Sequence, residues 1–117
     1  MHQLVHHMAD SHINAYCRFK LGYTEVNPTI KTYEEKDWAQ TADVQELPVN
    51  ISVTLLFALH RRWYAFLKNF TNADWQKTIY HPAHQKEITL WHLLGMYAWH
   101  GRHHVAHVTA LRERMYW

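Results

Sequence analysis

Three stretches of this chain repeat apolar residues every three or four positions, and that period is what most constrains the fold. It fits an α-helix with one face buried and no regular strand. The first stretch runs from His2 to about Tyr23, with Leu4, Val5, Met8, Ala9, Ile13, Tyr16 and Cys17 on the stripe and no Pro or Gly before Gly22. The second runs from about Ser52 to Phe70 and aligns Val53, Leu56, Phe57, His60, Trp63, Tyr64, Leu67 and Phe70, with Asn50 or Ser52 able to cap its start. The third runs from Leu90 to about Met115 behind Thr89 as N-cap. It carries Leu90, Leu93, Leu94, Tyr97, Ala98, Val105, Val108 and Leu111, and Gly95 and Gly101 weaken it slightly. The first helix starts without a Ser, Thr, Asp or Asn cap, which predicts that a segment precedes it.

Asn27-Pro28 ends the first helix, because Pro disfavours the α conformation before it and donates no backbone hydrogen bond. The connection that follows, to about Val49, is long for a bundle and is expected to cover a cavity. Within it Tyr33 to Thr41 can form a short helix around Trp38, and Pro48 marks the approach to the second long helix. Thr71-Asn72 opens a brief helical turn, Ala73 to Lys77, while Ile79 to Ile88, with Pro82 inside, is irregular or a short hairpin. With 117 residues, 48% of them apolar and 19% charged, the chain holds one folded core. The expected architecture is a single all-α domain over 1–117, a helical bundle with three long helices.

Several function classes are disfavoured. Twelve basic against ten acidic side chains give a formal charge of +2, which does not call for a nucleic acid partner. Cys17 is the only cysteine and no signal-peptide zones are visible, so a reducing cytoplasm fits best. Apolar runs such as Val53 to Leu59 are too short to cross a bilayer and lead into Arg61 and Arg62.

Twelve histidines point instead to metal. His100 and His104 lie one helical turn apart on one face, the spacing at which two imidazoles reach one ion, and His103 and His107 repeat that spacing on a face turned by about 100°. The row Leu93, Tyr97, His104, Val108 and Leu111 slightly favours the first pair. A third ligand is open among His6, His7, His12 and His60. The stripe Leu4, His7, Ser11, Asn14 and Arg18 is unusually polar for a core-facing row, so its members require partners, which a metal and its surroundings would supply. Any one of these histidines taken alone is more often a surface or core residue.

The run Leu4-Val5-His6-His7-Met8-Ala9-Asp10-Ser11-His12-Ile13-Asn14-Ala15-Tyr16, followed by Arg18-Phe19-Lys20, closely resembles the DinB-like superfamily in its YfiT-type metal-dependent hydrolases. The likeness continues through Pro28 to Lys31, Tyr33 to Trp38, Leu59 to Trp63, Tyr80-His81-Pro82, Ile88 to Leu90 and Tyr97 to His107. The resemblance implies a four-helix bundle in which His7, His100 and His104 bind one zinc or nickel ion per chain, with His103 and His107 outside the ligand set. Family members carry a helix before the His-His motif, so the first of four helices is expected to be missing here. That implies a partner subunit in its place, as in a homodimer, or an association-prone fold.

Three imidazoles leave a coordination position open, so the expected function is hydrolysis of a small-molecule substrate by metal-activated water. Asp10, Ser11, Asn14 and His60 are the candidates to orient the ligands or move protons. Relatives that are S-transferases imply an alternative in which a low-molecular-weight thiol is bound as thiolate. A second alternative is a non-catalytic, metal-binding stress-response module.

Overall fold

The computed structural model describes residues 2–97. The predicted continuation of the last helix, with His100, His103, His104 and His107, lies outside the described residues. Seven elements precede that helix: α1 (His2–Thr24), α2 (Glu35–Trp38), α3 (Ala42–Glu46), α4 (Val49–Leu67), α5 (Asn72–Trp75), β1 (Thr78–His81) and β2 (Lys86–Thr89). Residues 90–97 are helical and form the described part of α6.

Contacts between α1 and α4 climb together along both helices. His6 meets Ser52, His12 meets His60, Phe19 meets Trp63 and Tyr23 meets Phe66. The two helices are therefore parallel, and the chain has to travel back along the bundle between them. This is the physical reason for the long connection over residues 25–48, which carries α2 and α3. α6 runs the other way: Leu90 packs against Gly22, while Tyr97 bonds Arg18 four residues earlier in α1.

The core lies where these elements meet. Ala15, Phe19, Ile30, Trp63, Ile79, Ile88, Leu90 and Leu93 are buried together, and Phe19, Ile79 and Leu90 are completely inaccessible. Burying each large side chain of this kind contributes roughly 1.5–3 kcal/mol. β1 and β2 form an antiparallel hairpin in which Ile79 pairs with Ile88 and both face the core. The segment after Pro28 adds to its edge through Ile30 N–H to Tyr80 O and Tyr80 N–H to Pro28 O, at 3.0 and 2.8 Å. The hairpin thus pins the start of the long connection beside α1.

Several expectations meet corrections here. α4 begins at Val49 behind Pro48, and neither Asn50 nor Ser52 caps it; Ser52 is buried within the helix because it bonds His6. Its stripe is not uniformly inward, since Val53, Phe57 and Tyr64 are 54%, 66% and 70% exposed. On α1, Cys17 is exposed as well. α3 was not foreseen from the pattern, and the short helix around Trp38 is a single turn. The hairpin, the Thr71 cap of α5 and the Thr89 cap of α6, whose hydroxyl accepts from His92 N–H at 3.1 Å, agree with the sequence.

Candidate metal centre

Consecutive histidines on α1 point about 100° apart, and the structure uses them differently. His6 is buried at 4% exposure against α4 and the end of α3. Its Nε2–H donates to the Leu47 carbonyl at 3.0 Å, so Nδ1 is the acceptor for the Ser52 hydroxyl at 2.5 Å. Both ring nitrogens are committed to holding the connection onto the bundle. His12 is also buried, and its Nδ1 shares a hydrogen bond of 2.7 Å with His60 Nε2, beside the Trp63 ring. Burial holds the His60 imidazole below its ordinary pKa.

His7 turns to another side of α1. It borders a small recess with Asp10, Tyr33, Glu35 and Trp38, whose volume of about 10 Å³ is the size of one water or ion. Of the polar row His7, Ser11, Asn14 and Arg18, His7 borders the recess, while Arg18, farther along α1, reaches the long connection and α6. Ser11 is buried. The Asn14 amide donates to the Asp10 carbonyl at 2.8 Å, and Arg18 donates to the Tyr97 hydroxyl at 2.9 Å and the Lys31 carbonyl at 3.3 Å. Burial raises the Asp10 carboxyl, assisted by nearby Asp43. Tyr33 and Tyr97 are raised mainly by burial too, with Glu35 adding to both and Arg18 opposing.

Of the four residues expected to orient ligands or move protons, the structure gathers Asp10, Ser11 and Asn14 along the His7 row. His60 stands apart, about 140° around α1 from His7, because it pairs with His12. Tyr33 and Glu35 line the recess although the spacing arguments did not single them out, and Tyr97, named only as one of an inward row, lines a separate hollow and accepts a hydrogen bond from Arg18. Their signal was weak: a Tyr and a carboxylate in a loop, and a Tyr in an otherwise apolar row. Among the described residues no three His, Cys, Asp or Glu side chains converge as a metal site. His7 supplies one imidazole at a small recess, the kind of donor zinc and nickel accept, so the described residues fit one corner of such a site.

A helical bundle with a histidine-bearing polar cleft is the class that this fold defines, and the comparisons place it. The model of the DinB superfamily matches residues 1–108, and the chain belongs to that superfamily. It is 52% identical over 115 residues to a protein of Bacillus mycoides, and 50% identical over 115 residues to one of Bacillus cereus, each named "putative metal-dependent hydrolase". Both alignments cover 98% of this chain and 65% of the relative, so the chain spans about two thirds of the length of these proteins. A solved structure, YfiT from Bacillus subtilis, superimposes with a TM-score of 0.93 at 46% identity, covering 99% of this chain and 66% of that one. It is described as a probable metal-dependent hydrolase with an unusual four-helix bundle topology. No helix among the described residues is long and apolar enough to cross a membrane.

Proposed function

We propose that this chain carries the metal site of a hydrolase, with His7, His100 and His104 holding one divalent zinc or nickel ion. The observation that carries the reading is the helix register. Gly22 of α1 lies against Leu90, and the two helices run in opposite directions. The apolar period predicts that α6 continues as a helix beyond Tyr97. Leu90 lies against Gly22 and Tyr97 reaches Arg18, so the described part of α6 advances along α1 toward the end that carries His7. Both ring nitrogens of His6 bond protein groups, Ser52 and Leu47, which supports His7 over its neighbour as the third ligand.

A divalent ion so held would supply Lewis acidity and make water a stronger nucleophile at neutral pH. The chain's own residues set the surroundings. The Asp10 carboxyl, raised by burial, is placed to take and hold a proton at its oxygen near the cleft floor. Tyr33 forms one wall of the recess. Arg18 is the cleft's cation and bonds only neutral oxygens among its described partners, so it is suited to orient a substrate carbonyl or carboxylate.

Metal content tests the reading. Wild-type protein purified and loaded with zinc or nickel is expected to retain about one ion per chain, and His7→Ala, His100→Ala and His104→Ala are each expected to lose it. Retention of the ion by His7→Ala and His100→Ala would sink the assignment. Hydrolysis of a simple ester such as 4-nitrophenyl acetate, abolished by chelation and restored by metal, then supports the hydrolase. Metal-dependent consumption of a thiol without ester cleavage would favour thiol transfer instead.

A further inference from the structure

The hairpin and α1 run past each other in opposite directions. Lys77 Nζ donates to the Tyr23 carbonyl at 3.2 Å, and farther along Ile79 packs on Gly22, where an added Cβ would lie 2.9 Å from its Cγ2. Side chains of a strand alternate between its faces, so His81 shares with Ile79 the side of β1 that meets α1. One helical turn before Gly22 stands Arg18. Its guanidinium donates to the Lys31 carbonyl at 3.3 Å, and the adjacent Ile30 N–H bonds the Tyr80 carbonyl at 3.0 Å, which sets the segment carrying Lys31 alongside His81. α6 adds Tyr97, whose hydroxyl accepts from Arg18 at 2.9 Å. Three elements therefore meet around one cation.

Two groups at this meeting point lack the partners that burial calls for. Arg18 is half-buried, yet it bonds only a phenol and a backbone carbonyl, and among the described residues the ion pair is that of Lys77 with Asp74. His81 Nδ1 is shut off from solvent and has no hydrogen-bond partner among the described residues. Polar and charged groups withdrawn from water normally find partners. The charge of Arg18 opposes a metal ion here and favours an anion. Burial, with His84 and Arg18, holds the His81 imidazole below its ordinary pKa, and burial raises Tyr97, so near neutral pH both are uncharged donors. One positive charge and two neutral donors balance a single negative charge, that of a carboxylate, better than a phosphate dianion. We propose that Arg18, His81 and Tyr97 form a carboxylate-binding subsite, with the guanidinium fork, the His81 Nδ1–H and the Tyr97 O–H as its donors. As a statement about substrate class it rests on the hydrolase reading above: the substrate carries a free carboxylate besides the bond that is cleaved.

The test uses the full chain stripped of metal by chelation, with acetate, acetamide and sulfate as probes at constant ionic strength. Heteronuclear NMR is expected to show saturable shifts of the Arg18 guanidinium and His81 ring resonances with acetate. Acetamide, of the same shape without the charge, and sulfate, with twice the charge, are each expected to bind at least tenfold more weakly. Arg18→Met, followed at the His81 ring, and His81→Leu, followed at the Arg18 guanidinium, are each expected to weaken acetate binding at least tenfold. His81→Asn, whose amide nitrogen stands in for Nδ1, is expected to stay within about threefold of wild type. Should Arg18→Met unfold by circular dichroism, the contrast between His81→Leu and His81→Asn decides. No saturable shift with acetate, acetamide or sulfate binding as tightly as acetate, or His81→Leu binding like wild type would each overturn the proposal. Because the titration contains no metal, acetate binding without ester cleavage by the metal-loaded protein would sink the hydrolase and leave the subsite standing.

Discussion

Replacing Gly22 by Ala tests the packing that fixes the register of α6 on α1. A Cβ at position 22 would lie 2.8 Å from Leu90 Cδ2 and 2.9 Å from Ile79 Cγ2. These are side-chain ends, yet both residues are fully buried, so each methyl is confined by neighbours and cannot swing into solvent. Forcing one extra carbon into such a place costs about 1–3 kcal/mol. The better helix propensity of Ala opposes this by up to about 1 kcal/mol, less near a helix end, so a net loss of roughly 1–2 kcal/mol is expected. For a chain of this size that lowers the melting temperature by about 4–8 °C. Urea unfolding followed by circular dichroism measures it. A double-mutant cycle isolates the clash. Leu90→Ala alone should cost about 2–5 kcal/mol, but in the Gly22→Ala background the new methyl faces vacated space, so the combined loss should fall short of the sum by about 1 kcal/mol or more. A Gly22→Ala protein as stable as wild type, or strict additivity in the cycle, would refute the close approach and the register drawn from it.

Other outcomes follow from the same coordinates. His6→Ala removes a buried imidazole and leaves both its partners, the Ser52 hydroxyl and the Leu47 carbonyl, to find others, so chemical denaturation should show a loss of about 2–4 kcal/mol. Thr71→Ala deletes the cap that accepts from Asp74 N–H at 3.2 Å and should cost about 1 kcal/mol by the same measurement. Burial depresses the His60 and His81 imidazoles, the latter helped by His84. Between the folded and unfolded pKa values the unfolded chain binds more protons, so stability is full above about pH 6.5 and declines as pH falls through the folded values. Melting temperature should therefore drop from pH 7.5 to 5.5, and His60→Gln should flatten part of that slope. Asp10 has the opposite sign: its raised pKa means that stability is lost as pH rises through the folded value, so Asp10→Asn should melt higher than wild type at pH 7 in metal-free protein.

The long elements were legible in the sequence because their period is long enough to be unambiguous. α1 ends within a residue or so of its expected boundary, where Asn27-Pro28 forbids continuation. α4 shows where a periodic stripe ceases to be informative. Val53, Phe57 and Tyr64 belong to the same broad apolar band as Leu56 and Trp63, and a single helix cannot reveal that α1 buries one edge of the band while the other stays exposed. Ser52 illustrates the converse. A Ser near a helix start reads as a cap, yet this one bonds a histidine 46 residues away, information that no local window contains. α3 is five residues long, too short for any period to register. Tyr33 and Glu35 reach the recess only through the return path of the connection, and Tyr97 reaches Arg18 only through the reversal of α6, both tertiary facts.

The adjacent pair His6 and His7 condenses the difference between what spacing and structure can decide. As sequence they are interchangeable donors, and a helical wheel says only that they diverge by about 100°. Which of the two meets α4 depends on where the connection brings Leu47 and Ser52, and the structure gives both contacts to His6. That assignment has a consequence for every reading of the cleft. His6 serves folding through two neutral partners, so its loss should reduce stability more than metal content, whereas His7 sits at the recess with Asp10 and Tyr33 and should show the reverse. If the two substitutions instead changed metal content and stability in equal measure, the division of labour on α1, and with it the polar row from His7 to Arg18 as the wall of the site, would have to be abandoned.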